Sequence, residues 1–532
     1  MTVKRSWVAS GDIVMPPKRS LFSTIGIILA SFIAMLSNVV SLSGSNVMLP
    51  ILGQELQIQP DKLQWIPSAF SLSSGCSLLL CGRLADLYGR KRVFLAGSAW
   101  MSIFAIGSGF ARTATELFIL RAVQGVGSAA ATASAIGILA QSFPPGLTHR
   151  MAFAVFSAGA PIGGGVGLVF GGLLTQLSSV HWRAVFFLIA GLSFLSLLIG
   201  CLSMDRDLPS EELDRRVDWI GAVLDRANSR PRNGGRHASF TSDPNMQGNT
   251  KRPSTDIIAS LVLGIALVVA FLFWEDHLAK RTTLPPLMRL DIWTRARGKF
   301  AAIQLVAFLE WCAFMSWMLW VQLYFQSYKH YSPLATTVRL IPTSVTGFII
   351  TMIVGAIAGW VPAIYMLSIG TVATGIACLL FAMINVDATY WACAFPSTIL
   401  AVWGADFIFA SGAMFITRVA LAHEQSVAGG ILQTCTQLGT SFGLAITTIV
   451  HNRVSNWGTG DEAQLRGYRA AQWTGFAFAM IAFMISVLFF RGVGTVGGKA
   501  DPDVVNLPTD SSGVEMDVKV DDSKQKIMAF DC

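Results

Sequence analysis

Charge is scarce in this chain. Only 13% of its 532 residues are Asp, Glu, Lys or Arg, about half the share found in ordinary soluble proteins. That excludes a solvated globular enzyme. Basic residues fall in short loops rather than on one face, which excludes a nucleic-acid binder as well. The eight cysteines form no C-x-x-C pair and lie in or beside apolar runs, so they read as small reduced core residues. There is no G-x-x-x-x-G-K-[ST] and hence no P-loop ATP site. No N-x-S/T sequon marks an outside loop. The seven histidines fall in loops or at run ends and never pair at i, i+4 within a run, so neither metal nor any other cofactor is expected. The first twenty residues are basic but lack a short apolar core with a small-residue cleavage site. No cleaved signal peptide is read, and the first apolar run serves as the insertion signal.

What the chain has in abundance is apolar length. Hydrophobic residues make up 53%, with 49 Gly, 34 Phe and 19 Met. Apolar runs lie near 22–48, 64–82, 93–111, 116–140, 151–176, 184–203, 256–274, 300–325, 335–359, 362–384, 390–416, 427–450 and 471–490. A bilayer core about 30 Å thick needs about 20 apolar residues per helix. The reading is an all-α polytopic membrane protein with thirteen runs. Lys and Arg set orientation: GRLADLYGRKR, the arginine-rich 205–255 segment, and the stretch holding Lys280, Arg281, Arg289, Arg295, Arg297 and Lys299 all favour the cytoplasm. One run alone, 256–274, separates the last two. Either it does not span, or VDWIGAVL (217–224) begins a truncated crossing, or the basic loop lies outside.

The segment Gly82 to Arg92 resembles the loop between the second and third helices of the major facilitator superfamily, Gly-x-Leu-Ala-Asp-x-x-Gly-Arg-Lys-Arg, here with Asp86, Gly89, Arg90, Lys91 and Arg92. RAVQGVG, with Arg121, Gln124 and Gly125, is similar to the family's Arg-x-x-Gln-Gly-x-Gly pattern. GAPIGGGVGLVFGG, with Gly163, Gly164, Gly167, Gly171 and Gly172, resembles the glycine motif of its drug:proton antiporters. DWIGAVL and YWACAFPSTIL resemble the fourteen-span branch, particularly fungal multidrug and aminotriazole-resistance efflux pumps. Three positions depart from that pattern. Leu168 stands where the antiporter motif has proline, Ser41 stands where the branch's first helix often has Asp, and a polar segment replaces the seventh helix.

The resemblance implies two six-helix bundles plus one or two extra linker helices. The expected parts are a cytoplasmic tail 1–20, a first bundle 21–204, a polar linker 205–255, an extra helix and basic loop 256–299, a second bundle 300–492 and a disordered tail 493–532. The Gly82–Arg92 loop is expected to act as a conformational latch, its glycines permitting close approach and a tight turn. Arg121 is implied in proton coupling; its alternative is a residue snorkelling to the helix end. The stripe of glycines permits close helix contact. Intramembrane carboxylates are functional candidates by default, which singles out Glu310 and Asp406 for protons or substrate. Trp311, with Trp317 and Trp320, is a candidate aromatic cavity wall.

The expected activity is secondary active transport, a proton-coupled efflux of small organic compounds (drug, toxin or secondary metabolite) by alternating access. The alternatives are movement of a small cation or weak acid such as ammonium or borate, or a degenerate, non-transporting membrane receptor. The expected partners are a small-molecule substrate, protons and the lipid bilayer, with no nucleic acid; the chain is read as a monomer of the plasma membrane, with the vacuole as the alternative.

Overall fold

A computed structural model describes residues 20–58, 62–143, 147–205, 291–357, 360–386, 389–419, 425–458 and 460–491. The N-terminal tail, the linker expected at 205–255 beyond its first residue, the run at 256–274 and the tail expected from 493 lie outside the described residues.

The remaining twelve apolar runs form twelve long helices. In chain order these are α1 (Leu21–Glu55), α2 (Trp65–Tyr88), α3 (Arg90–Gly109), α4 (Ala114–Ser142), α5 (Leu147–Leu177), α6 (Arg183–Ser203), α7 (Lys299–Leu323), α8 (Pro333–Ile357), α9 (Ala363–Ala382), α10 (Ala394–Val419), α11 (Gln425–Ser455) and α12 (Asp461–Phe489). A single helical turn, Asp291–Thr294, precedes α7, and a π-helical turn, Tyr324–Tyr328, extends it. Local chemistry sets several ends. Ser20 caps α1 by accepting from the Ser23 N–H, and Thr113 with Glu116 forms a capping box on α4, satisfying amide groups that a helix start leaves orphaned. Gly89, at φ 106°, is the one-residue break between α2 and α3, a conformation that favours glycine.

Ten of the twelve helices are long and apolar enough to cross a membrane by length and composition. The two others are α3 and α11. The first opens with three cations, and the second spends its hydrophobicity on an inward polar face that buries Gln433, Gln437, Thr440, Ser441 and Thr447. Helix α12 begins ten residues before the apolar run read at 471–490. Its first turns, Asp461 to Ala470, are polar but still helical, so apolarity marks the lipid-facing stretch and not the helix.

Helices α1–α6 pack mainly with one another, through the pairs α1/α5, α2/α4, α3/α4 and α3/α6, and α7–α12 repeat the pattern through α7/α11, α9/α10 and α9/α12. Two seams join the sets, α2 against α11 and α5 against α8. One apolar cluster runs through both sets, from Leu36 and Leu168 to Leu340 and Trp317. Outward faces keep large apolar side chains in the open, among them Ile103 (62%), Leu202 (76%) and Leu488 (64%). Singly such exposure is ordinary, but in belts around a bundle it marks a lipid-facing surface.

Candidate functional site

The α2–α3 turn builds the first constellation. Arg90 Nη2 and Nε reach Asp86 Oδ1 at 2.8 and 3.0 Å, and Nη1 donates to Gly137 O of α4 at 2.6 Å. The Asp86–Arg90 pair is therefore stapled to a third helix, which a surface i, i+4 pair alone would not achieve. Lys91 Nζ donates to Cys201 O and Met204 O at 3.1 and 2.6 Å, tying α3 to the end of α6, where carbonyls lack intrahelical partners. Arg92 is exposed. Gly82 corrects its expectation: a Cβ there would meet open space, so no close helix approach depends on it. It lines a recess between α2, α4 and α11 together with Leu79, Asp86, Arg90 and Gly430.

Arg121 does not snorkel. It is fully buried two turns inside α4 and gathers acceptors from three helices. Nη1 donates to Ser41 Oγ of α1 at 2.5 Å and Gln124 Oε1 at 3.0 Å, Nη2 to Ser41 O at 3.1 Å, and Nε to Ile66 O of α2 at 3.2 Å. The Phe70 ring lies 4.5 Å from its Cζ, a cation–π contact. No carboxylate of the described residues pairs with it. Ser41, the position where the resembled branch often has Asp, is thus the residue that faces the guanidinium. Gly125 is required beside it: a Cβ there would strike Phe70 O and Ser73 Oγ of α2.

The α5 glycines divide between two neighbours. Cβ atoms at Gly163 and Gly171 would stand 2.9 Å from Leu36 O and 3.1 Å from Gly44 Cα of α1, and one at Gly167 would strike Ser43 Oγ. Gly164, Gly165 and Gly172 face α8 instead, against Ser344 and Thr337. One face is packing inside a set; the other lies on a seam between sets.

The two carboxylates are placed differently. Glu310 is fully buried among α7, α9 and α10, beside Gly404 and Thr374, whose hydroxyl donates to Ala401 O at 3.1 Å. Asp406 of α10 is half-buried and faces α8: a Cβ built on Gly347 would stand 3.2 Å from Asp406 Oδ2 and 3.3 Å from Pro161 Cβ of α5, with Thr351 as the neighbouring hydroxyl. Asp406 therefore sits where three helices from both sets meet. Trp311 is half-buried, its ring 6.0 Å from that of Phe409. Trp317 leaves the expected aromatic wall; it is core, donating to Ser397 Oγ at 2.8 Å. Trp320 is buried as well, stacked on His451 at 4.3 Å.

Residues 27–444 match the Major Facilitator Superfamily pattern. The chain belongs to that superfamily. It is 27% identical over 489 residues to an efflux pump, terJ, of Aspergillus terreus, covering 90% of each chain. It is 26% identical over 436 residues to a low affinity ammonium transporter of Saccharomyces cerevisiae, covering 80% of this chain and 81% of that one. Among solved structures it superposes on a peptide transporter, POT, in complex with sulfate, with a TM-score of 0.61 at 14% identity over 90% of this chain and 98% of that one. The fold is that of a superfamily transporter, an integral multi-pass membrane protein and not an enzyme.

Several residues of these candidate sites carry no signal in the sequence. Gly137 carries the carbonyl that holds Arg90, and Gly347 and Gly404 make room for Asp406 and Glu310. Each is a lone glycine in an apolar run, with no local signal beyond its small size. Ser41 was visible as a departure, but its partner was not.

Proposed function

We propose that this transporter exports small organic compounds in exchange for protons by alternating access, the segments 21–204 and 300–492 rocking about the α2/α11 and α5/α8 seams. On this reading the Asp86–Arg90 turn faces the cytoplasm, in keeping with its cations. On the same reading a monomer in the plasma membrane suffices. The observation that carries the reading is Asp406: a carboxyl in an apolar span, on a half-buried residue, with its Oδ2 enclosed and without a hydrogen-bond partner, lodged where α5, α8 and α10 meet. An ionisable group there changes the charge at the moving seam when it takes or loses a proton, which gives the gradient a mechanical handle. Glu310 serves as an enclosed second carboxyl, Arg121 as a fixed positive anchor of the first half and Trp311 as part of the substrate wall.

The test is efflux of a loaded dye from cells with and without the transporter. A protonophore should abolish the difference, and Asp406→Asn should lose gradient-driven efflux while keeping downhill exchange. Equal efflux with the gradient collapsed rejects antiport. The ammonium transporter among the relatives favours a second reading, a small cation as substrate; uptake of labelled methylammonium that depends on the chain selects it over the first.

A further inference from the structure

At the end of the fold opposite the Asp86–Arg90 turn, the second set of helices holds a recess bounded by the end of α7, the start of α8, the end of α9 and the start of α10. Its lining includes Lys329, Arg339, Tyr324, Phe325, Tyr331 and Tyr390. The π turn at Tyr324–Tyr328 delivers Lys329 to it: the Lys329 N–H returns to Tyr324 O at 3.0 Å, and the Tyr331 N–H to Phe325 O at 2.9 Å. Between them His330 is held at φ 55°, a conformation unusual outside glycine that tends to persist only where the surroundings enforce it.

Both cations are half-buried, and both find only main-chain oxygen. Lys329 Nζ donates to Val386 O at 2.7 Å and Arg339 Nη1 to Ala335 O at 2.8 Å. Ion pairs among the described residues lie elsewhere, at Arg90–Asp86, Arg183–Glu55 and Arg466–Glu462. An ammonium has three donors and a guanidinium five, so most of this capacity is unspent. The other walls include aromatic side chains. Arg339 Cζ stands 4.1 Å over the Tyr331 ring, Phe325 stacks on Tyr331 with centroids 6.0 Å apart and 24° between planes, and Tyr390, 6.5 Å from Phe325, anchors α8 by donating from its hydroxyl to Arg339 O at 2.6 Å.

We propose that this recess binds a small organic anion with a planar or aromatic body, a carboxylate above all. The two cations take the acid group, Arg339 by its bidentate edge, and the accessible parts of Tyr331 and Tyr390 take the body. A bare inorganic anion would leave the accessible parts of the Tyr331 and Tyr390 rings without an apolar partner. The site stands apart from the transport reading, because it needs binding and not flux.

The test uses the full chain in nanodiscs of phosphatidylcholine, with binding of 2-naphthoate measured by titration calorimetry against its neutral amide, 2-naphthamide. The acid should bind at least tenfold tighter than the amide, and Lys329→Gln with Arg339→Gln should weaken the acid at least tenfold while leaving the amide unchanged. Asp387→Asn, which removes the carboxylate nearest in sequence, should leave acid binding equal or tighter. The proposal is overturned if acid and amide bind alike in the unaltered protein, a comparison that needs no variant to fold. It is overturned equally if the glutamine pair binds the acid as before, if Asp387→Asn abolishes binding, or if phosphatidylglycerol in the nanodisc displaces naphthoate fully, which would make a lipid phosphate the occupant.

Discussion

A buried guanidinium with four oxygen partners and no carboxylate poses a definite energetic question at Arg121. Its bonds to Ser41, Ile66 and Gln124 are charge-assisted, each worth about 1.5–3 kcal/mol at most, and truncation leaves the acceptors buried and unpaired. Arg121→Ala should therefore lower the thermal stability of the purified transporter by several degrees, corresponding to about 3 kcal/mol. Ser41→Asp supplies the carboxylate that the resembled branch often has at this position and should be tolerated within about 1 kcal/mol, the pairing offsetting the cost of burying a second charge. Combined, the two changes leave the introduced carboxylate buried without its cation, so the double variant should be less stable than the sum of the singles. Additive losses in thermal unfolding would show that Ser41 and Arg121 do not share an environment. The motif and the departure at Ser41 were both legible in the sequence. Their juxtaposition was not, because 80 residues separate them and helix rotation decides which faces meet.

Among the elements, helix number was the most readable property, since each long apolar run needs only length to declare itself, and the polar first turns of α12 show where that signal stops. What the runs could not tell is which neighbour each face meets, and α5 shows the consequence. Gly163 and Gly164 are adjacent in one glycine motif, yet a Cβ at Gly163 would press on Leu36 O at 2.9 Å, whereas one at Gly164 would find Ser344 Oγ at a comfortable 3.9 Å. Gly163→Ala should thus cost about 1–3 kcal/mol through overpacking against backbone, while Gly164→Ala should change thermal stability by less than about 0.5 kcal/mol. A second element-level expectation concerns the conformational latch expected at Asp86–Arg90. A Cβ on Gly137 would stand 2.9 Å from Arg90 Nε, so Gly137→Val should push the guanidinium off its carbonyl without touching the motif itself. Transport by that variant should fall as far as in Arg90→Ala; normal flux would show that the tie to α4 is dispensable.

Over the whole molecule, hydrogen bonds between the two sets of helices gather away from the Asp86–Arg90 end. Gln326 Nε2 donates to Val47 O at 3.1 Å, Thr337 Oγ1 to Leu168 O at 3.0 Å, and the Leu334 N–H to Gln176 Oε1 at 3.3 Å. Those contacts describe a conformer fastened at the opposite end, and alternating access requires that they part once per cycle. Gly172 and Thr337 offer a way to prevent it, because a Cβ on Gly172 would lie 3.2 Å from Thr337 Cβ, just under the roughly 3.5–4.5 Å that a disulfide spans. In a background with the native cysteines replaced, Gly172→Cys with Thr337→Cys should cross-link on mild oxidation and stop flux, and a reductant should restore it. Each single variant should be indifferent to the oxidant. A cross-linked double variant that still transports at the reduced rate would mean that α5 and α8 stay together throughout the cycle, and the rocking of the two halves about this seam would have to be abandoned.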